Sequence, residues 1–334
     1  MKKNIVGIDL GTSNTQIWTE EASNIVFNEP TLVAWDKKTH NVIEIGYLAH
    51  RLVGKVPQDT ELFYPVKNGV IANIEATVAF LKRAGENARI SKIIKGSKLI
   101  FTTPYELTEV ERQAYVVVAK YLGAKSLYLV DSLTASAVSC GIDLASTRGN
   151  LIVDIGGSNT NVASIALGRI IVAKNIKFAG ESIDNAISRY IRTKHHLLVG
   201  EKTAEYIKMK IGTLLKDADN NLLEVNGKDL LTGLPHSIII STSEITDVII
   251  KIFDEIANVI IDTLELSPAE VSSDVIHTGI TLTGGGCLLN GAREYFEKKL
   301  SIPVHISHFP LESAIQGVQM AYQNFINNPN YSIY

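Results

Sequence analysis

The sequence predicts an α/β protein of two domains built on one plan, and three observations carry that expectation. The motif D-L-G-T-S-N-T from Asp9 to Thr15 returns as D-I-G-G-S-N-T from Asp154 to Thr160, 145 residues later, about one domain length. In both places a short apolar run, Val6 to Leu10 and Leu151 to Ile155, carries an aspartate near its end and meets a glycine, the pattern of a buried strand entering a tight turn. Strand-like runs then alternate with segments of helical period through both halves, as a sheet covered by helices requires.

Taken in order, the two turns are each followed by an apolar segment, ending near Trp18 and Ala166. Thr108 and Glu111 form a capping box ahead of Val110, Ala114, Val117, Val118 and Tyr121, and Gly123 supplies the stop, so this stretch is an amphipathic helix. Leu127 to Val130 reads as a strand leading into a helix over Ser132 to Cys140, whose Ala135, Ser136 and Ala137 are small enough to pack closely between domains. Ser241 and Glu244 make a second capping box. Behind it Ile245, Val248, Ile249, Ile252, Ile256, Val259, Ile260 and Leu264 recur at three and four, giving a long core helix with one apolar face. No low-complexity linker interrupts the chain, and a two-lobed body is expected.

Composition removes several functions. With 334 residues, 46% hydrophobic and 20% charged, the chain can bury two cores and is not disordered. Lys and Arg total 32 against 35 Asp and Glu, a net charge of −3, so no global cationic field recruits nucleic acid. Two cysteines, Cys140 and Cys287, make no disulfide framework, which fits a cytoplasmic location. Asp9 interrupts the amino-terminal apolar run too early for a signal peptide, and no run approaches the ~20 apolar residues of a membrane span. The eight histidines show no metal pattern: His305 and His308 lack companion cysteines, and His195 and His196 diverge on any regular element.

The chemistry that remains is phosphate binding. A strand ending in Asp, then Gly and short hydroxyl or amide residues, presents backbone N–H groups and small donors that suit phosphate oxygens. One such turn is weak evidence, but two, one domain apart, can hold a polyphosphate from both sides. Asp9 and Asp154 would then stand near phosphate only with a cation between, and hydrated Mg²⁺ is the usual one. Gly284, Gly285 and Gly286 follow an apolar strand where backbone must approach something flat or bulky. Glu205 and Lys208 share a helix face, either as a solvated pair or as partners for a ribose and a base. No Walker loop, nucleophile elbow or Cys/His signature accompanies them.

These elements in this order resemble the superfamily of actin, heat-shock chaperone ATPases and sugar kinases, and within it the MreB family of bacterial actins. The matching stretches are N-E-P-T-L-V-A (Asn28 to Ala34), Y-P-V-K-N-G-V-I-A-N (Tyr64 to Asn73), T-E-V-E-R (Thr108 to Arg112), G-E-K-T-A-E-Y-I-K (Gly200 to Lys208) and L-T-G-G-G-C-L-L-N-G (Leu282 to Gly291). The resemblance implies an actin-like fold of two domains and four subdomains on a duplicated RNase-H-like core. Domain I would take residues 1–140 and 316–334, with subdomain IB inserted at about 32–74; domain II would take 141–315, with IIB inserted at about 181–240. It also implies ATP or ADP with Mg²⁺, and polymerisation into paired protofilaments serving cell shape.

Carried over by position, the resemblance assigns Gly11, Thr12, Ser13, Asn14, Gly156, Gly157, Ser158 and Asn159 to the phosphates, and Asp9 and Asp154, through water, to Mg²⁺. Glu205 and Lys208 would hold the nucleoside, with Gly284 to Gly286 and Cys287 beneath the base. Two departures bear on hydrolysis. Asp131-Ser132-Leu133 stands where the family has Glu-Glu-Pro, so the water-orienting carboxylate sits on a shorter side chain. Asn161 ends the second loop where the family has an acid. Hydrolysis at Asp131 and Asn161 is therefore expected to be slow, because an attacking water must be held closely in line. Ile93 and Ile94, flanked by Lys92 and Lys95, occupy the place of a family membrane loop and either meet an anionic bilayer or fold onto their own subdomain. The altered residues and the Ile, Asn and Lys content are similar to the paralogues of wall-less helical bacteria, which makes paralogous filament proteins candidate partners. A small-molecule kinase of the same superfamily is the alternative; a chaperone ATPase is not expected of a chain ending at Tyr334.

Overall fold

Two five-stranded sheets of identical topology organise the chain. The computed structural model describes residues 4–39 and 41–334, which fall into two units, Met1–Asp143 with Glu312–Tyr334, and Leu144–Leu311. In the first unit β1 (Ile5–Leu10), β2 (Asn14–Thr19) and β3 (Asn24–Pro30) form an antiparallel meander, since polar turns reverse each apolar run. A small antiparallel sheet follows, with β4 (Val33–Asp36) between β5 (Val42–Ile45) and β6 (Thr60–Phe63), and α1 (Gly46–His50) joining the last two. β7 (Val66–Lys67) and β8 (Val70–Ile71) make a hairpin whose Asn68 and Gly69 both take positive φ, as a two-residue turn between twisted strands demands. Next come α2 (Ile74–Asn87), α3 (Ser91–Ile94), β9 (Lys98–Thr103), α4 (Glu109–Leu122), β10 (Ser126–Asp131) and α5 (Ser132–Ser139).

β9 and β10 run parallel in the order β10-β9-β1-β2-β3, with α4 as a crossover. The start and stop signals of α4 are as the sequence predicts. Thr108 N–H donates to Glu111 Oε2 at 2.8 Å, Glu111 N–H donates to Thr108 Oγ1 at 3.3 Å, and Gly123 ends the helix at φ 75°. Ile8, Phe101, Phe80, Leu81 and Tyr115 fill the core between this sheet, α2 and α4.

The second unit repeats the plan. β11 (Asn150–Ile155), β12 (Thr160–Ala166) and β13 (Arg169–Ile176) form the meander, and α6 (Gly180–His195) follows. β14 (Leu197–Leu198), α7 (Glu201–Ile211), β15 (Leu222–Asp229) and β16 (Pro235–Ser241) add a second small sheet in the order β14-β15-β16. Then come α8 (Thr242–Leu266), α9 (Ala269–Thr278), β17 (Ile280–Thr283), a 3₁₀ turn (Gly285–Leu288), α10 (Ala292–Leu300) and β18 (Val304–Ile306). The order β13-β12-β11-β17-β18, with β17 and β18 parallel to β11, matches the first sheet strand for strand. The second capping box starts α8, which buries Ile245, Ile249, Ile256 and Ile260 and half-buries Val248, Ile252, Val259 and Leu264.

The chain returns to the first unit with α11 (Ser313–Asn327), which lies along α5. A Cβ on Gly317 would meet the backbone carbonyl of Ala135. The small residues of α5 therefore serve close packing on α11 inside the first unit, where Gly317 supplies the matching absence of bulk. For Ile93 and Ile94 the structure shows the second of the two alternatives. Ile94 is 4% exposed, and a Cβ on Gly85 would stand 2.9 Å from its Cδ1; Ile93 is partly buried on the same core. Both fold onto their own unit, where burial takes their apolar surface out of water. No helix among the described residues is long and apolar enough to cross a membrane.

Candidate functional site

The first turn is a rigid loop set by its own backbone. Gly11 N–H donates to Asn14 O at 3.1 Å, and a Cβ on Gly11 would lie 2.7 Å from that oxygen, so only glycine lets the chain reverse here. Residues outside the motif tie the loop down: Thr31 donates through Oγ1 to Gly11 O at 2.8 Å and through N–H to Ser13 O at 2.9 Å. Thr12 Oγ1 accepts from Gly69 N–H at 2.9 Å, which leaves its own hydroxyl proton to donate. Ser13 and Asn14 are exposed at the tip, with Asn14 Nδ2 donating to Asn28 Oδ1 at 3.2 Å.

Asp9 stands behind this loop on β1. Burial pushes its carboxyl up from the ordinary value, and a hydrogen bond from Thr102 Oγ1 only partly offsets that. A carboxylate deprived of water is one that a nearby cation would stabilise in its charged form, so the donor fits a hydrated Mg²⁺.

The second turn repeats the closure, with Gly156 N–H donating to Asn159 O at 3.0 Å. Its carbonyls are held by the start of α6: Gly180 N–H donates to Gly156 O at 3.2 Å and Glu181 N–H to Gly157 O at 2.7 Å. Ser158 is nearly buried, and Thr160 Oγ1 donates to Phe178 O at 2.6 Å. Asp154 occupies on β11 the place of Asp9 on β1, paired in register with Thr283 as Asp9 is with Thr102. Asn161, at the start of β12, accepts from Asn175 Nδ2 at 2.6 Å, which commits its carbonyl and leaves its amide protons as the groups it can offer.

Two of the three glycines after β17, Gly284 and Gly286, are required by the protein itself. A Cβ on Gly284, at φ 81°, would strike Asp154 and Ile155, and one on Gly286 would strike the Ile155 side chain. The end of β11 is therefore one thing this backbone approaches closely, and Gly284 and Gly286 lock the second turn to the 3₁₀ turn. Cys287 is 1% exposed within the core of this unit.

On α7, Glu205 is exposed, while Lys208 turns inward. Lys208 Nζ donates to Asp184 Oδ2 of α6 at 2.9 Å and reaches Gly180 O at 3.4 Å. The lysine thus pairs with another helix and not with Glu205, because Asp184 is buried beside it whereas Glu205 keeps its water. Asp131 is the N-cap of α5: its Oδ1 accepts from Thr134 N–H at 2.6 Å, and burial raises its pKa while that bond pulls it part of the way back.

Within its own unit each turn gathers partners that spacing alone does not reveal. Thr31, Gly69 and Asn28 reach the first turn across strand pairings, and Asp184 reaches Lys208 between helices. Thr102 and Thr283 had a signal, since β9 and β17 both end their apolar runs on threonine. Among the described residues no group of three or more His, Cys, Asp and Glu side chains is gathered around one point.

Comparison with known proteins matches this arrangement along nearly the whole chain. The family described as MreB/Mbl protein matches residues 3–329. The chain is 34% identical over 324 residues to the cell shape-determining protein Mbl of Bacillus subtilis, covering 97% of each. It is 31% identical over 322 residues to the cell shape-determining protein MreB of Escherichia coli K12, covering 95% of this chain and 92% of that protein. A crystal structure of MreB 5 of Spiroplasma citri bound to AMPPNP superposes with a TM-score of 0.94 at 33% identity, covering 99% of both chains.

Proposed function

Because this chain belongs to the MreB/Mbl family of actin-fold ATPases, we propose that it binds ATP and ADP with Mg²⁺ and polymerises into paired protofilaments that support cell shape in the cytoplasm. The observation that carries this reading is the duplicated turn, closed by Gly11 N–H to Asn14 O and again by Gly156 N–H to Asn159 O behind a strand-end aspartate. The AMPPNP-bound relative supports the nucleotide, and the names of the Bacillus and Escherichia relatives support the role in shape.

In this reading Thr12, Ser13 and Asn14 donate to phosphate oxygens from the first turn, and Gly156, Gly157, Ser158 and Asn159 do so from the second. Asp9 and Asp154 hold the hydrated Mg²⁺, which neutralises phosphate charge when bound. Glu205 and Lys208 address the nucleoside, with Gly284 to Gly286 beneath the base. Hydrolysis is slow. Asp131 engages Oδ1 in capping α5 on a side chain shorter than the family's glutamate, and Asn161 offers amide protons where an acceptor for water is needed, so water would be held loosely.

The test is phosphate release measured beside pelleting and electron microscopy with Mg·ATP, Mg·ADP and a non-hydrolysable analogue. Paired filaments with little phosphate release are the expected result. No polymer under any nucleotide or salt condition, with turnover appearing only when a small phosphate acceptor is added, would overturn it in favour of a kinase.

A further inference from the structure

The Asp184–Lys208 pair has features that a surface ion pair lacks. Its side chains are 11% and 16% exposed, Nζ to Oδ2 is 2.9 Å, and Asp184 Oδ1 is buried with no hydrogen-bond partner among the described residues. The pair also touches the second turn. Gly180, whose carbonyl Lys208 approaches at 3.4 Å, donates its own N–H to Gly156 O, and its Cβ position lies 3.5 Å from Gly156 O, Gly157 O and Lys208 Nζ alike. The ammonium is therefore parked at the joint between α6 and the turn, at the end of a long and otherwise mobile side chain.

We propose that Asp184 is a positioning residue for nucleotide: its carboxylate holds the Lys208 ammonium against the first turn of α6, where the lysine meets the bound nucleotide. This rests on the nucleotide-binding reading above. The physical reason is entropic as well as electrostatic. A lysine fixed in advance loses less rotamer freedom on binding, and a charge-assisted hydrogen bond in a half-dry site is worth more than one in water.

The arrangement carries a pH dependence. Burial first, then the nearby Glu205 and Glu201 charges, push Asp184 up against the pull of Lys208, to about 6. Glu181, across the start of α6, is raised as well, by burial and by Glu201. Below about pH 6 Asp184 takes a proton, its hold on Lys208 is lost, and nucleotide affinity falls.

The experiment measures Mg·ADP affinity of the full chain by calorimetry for the wild type, Asp184→Asn, Lys208→Met and the double variant, between pH 5.5 and 8. At pH 7.5 Asp184→Asn should weaken binding roughly tenfold, the scale of one charge-assisted hydrogen bond, and the double variant should bind no worse than Lys208→Met. Wild-type affinity should drop on acidification, whereas Lys208→Met shows only the smaller drop that belongs to the ligand's own phosphates. If Asp184→Asn fails to fold, the pH series on wild type and Lys208→Met decides. Asp184→Asn binding like the wild type, or losses that multiply in the double variant, would overturn the proposal while leaving nucleotide binding intact. A wild type that binds no Mg·ADP would instead overturn the nucleotide reading itself.

Discussion

Lengthening Asp131 to glutamate separates the capping that its carboxylate does in the structure from the water-orienting role proposed for it above. In the wild type Oδ1 accepts from Thr134 N–H at 2.6 Å, so that oxygen is engaged on the first turn of α5. Glutamate adds one methylene, about 1.5 Å of reach, and is a poor N-cap because its carboxylate overshoots the N3 amide. Losing the cap should cost about 1 kcal/mol, or ~2–4 °C in melting temperature for a unit of this size. The freed carboxylate can then orient water. A positioned general base contributes roughly 10²- to 10⁴-fold; with Asn161 still in place of an acid, we expect at least about a tenfold rise in phosphate release per polymerised subunit. Asp131→Asn is the control, since asparagine caps as well as aspartate: stability should stay within about 0.5 kcal/mol while release falls further. The assay is phosphate release normalised to pelleted protein, paired with thermal unfolding of each variant. Asp131→Glu filaments that form normally but release phosphate no faster would show that reach at this position does not limit hydrolysis.

Other substitutions follow from the same contacts. Asp9→Asn should raise the melting temperature of nucleotide-free protein near pH 7 while weakening Mg·ATP binding. Its raised pKa means that the folded state binds the proton more readily than the unfolded chain, so charging Asp9 opposes folding as pH climbs above the usual carboxylate range near 3.8. A wild type and variant whose melting temperatures have the same pH dependence would refute that sign. Gly317→Val drives a branched side chain into the Ala135 backbone and should cost more than about 3 kcal/mol in chemical denaturation, with loss of soluble protein as the first symptom. Ile94→Ser removes a buried side chain from the core of the first unit and should cost about 3 kcal/mol, whereas liposome co-sedimentation of the well-folded fraction should not change.

Much of the fold could be read from the chain because its signals are local and repeated. The capping boxes at Thr108 and Ser241, the αL stop at Gly123 and the two Asp-x-Gly turns each rest on residues within a few positions of one another, where side-chain geometry has few choices. What stayed hidden depends on partners far along the chain. The small residues of α5 announce close packing but not its partner, and Gly317 lies 182 residues beyond Ala135. Ile93 and Ile94 fit a membrane loop and a core turn equally well by composition; only the cleft beside Gly85 decides. Lys208 could be seen as a candidate, but its partner could not, because helix spacing brings Glu205 to the same face while tertiary packing brings Asp184.

The duplicated plan also shows where the two halves have stopped being equivalent. Both turns close with the same glycine-to-asparagine bond, and both aspartates pair in register with a strand-end threonine. The first turn is then held from its carbonyl side by Thr31 and through the Thr12 hydroxyl by Gly69, in the connection that follows the small sheet. The second is held by the leading amides of α6 and by Gly284 and Gly286, where a Cβ would strike Asp154 or Ile155. Those helix amides are consumed on Gly156 and Gly157 carbonyls and so cannot also serve an anion. In the nucleotide reading proposed above, the second turn is left with its remaining N–H groups and Ser158 for phosphate, and substitutions at Gly180 that displace α6 should weaken phosphate binding without touching phosphate, an effect that Thr31→Ala would reproduce on the first turn through Gly11.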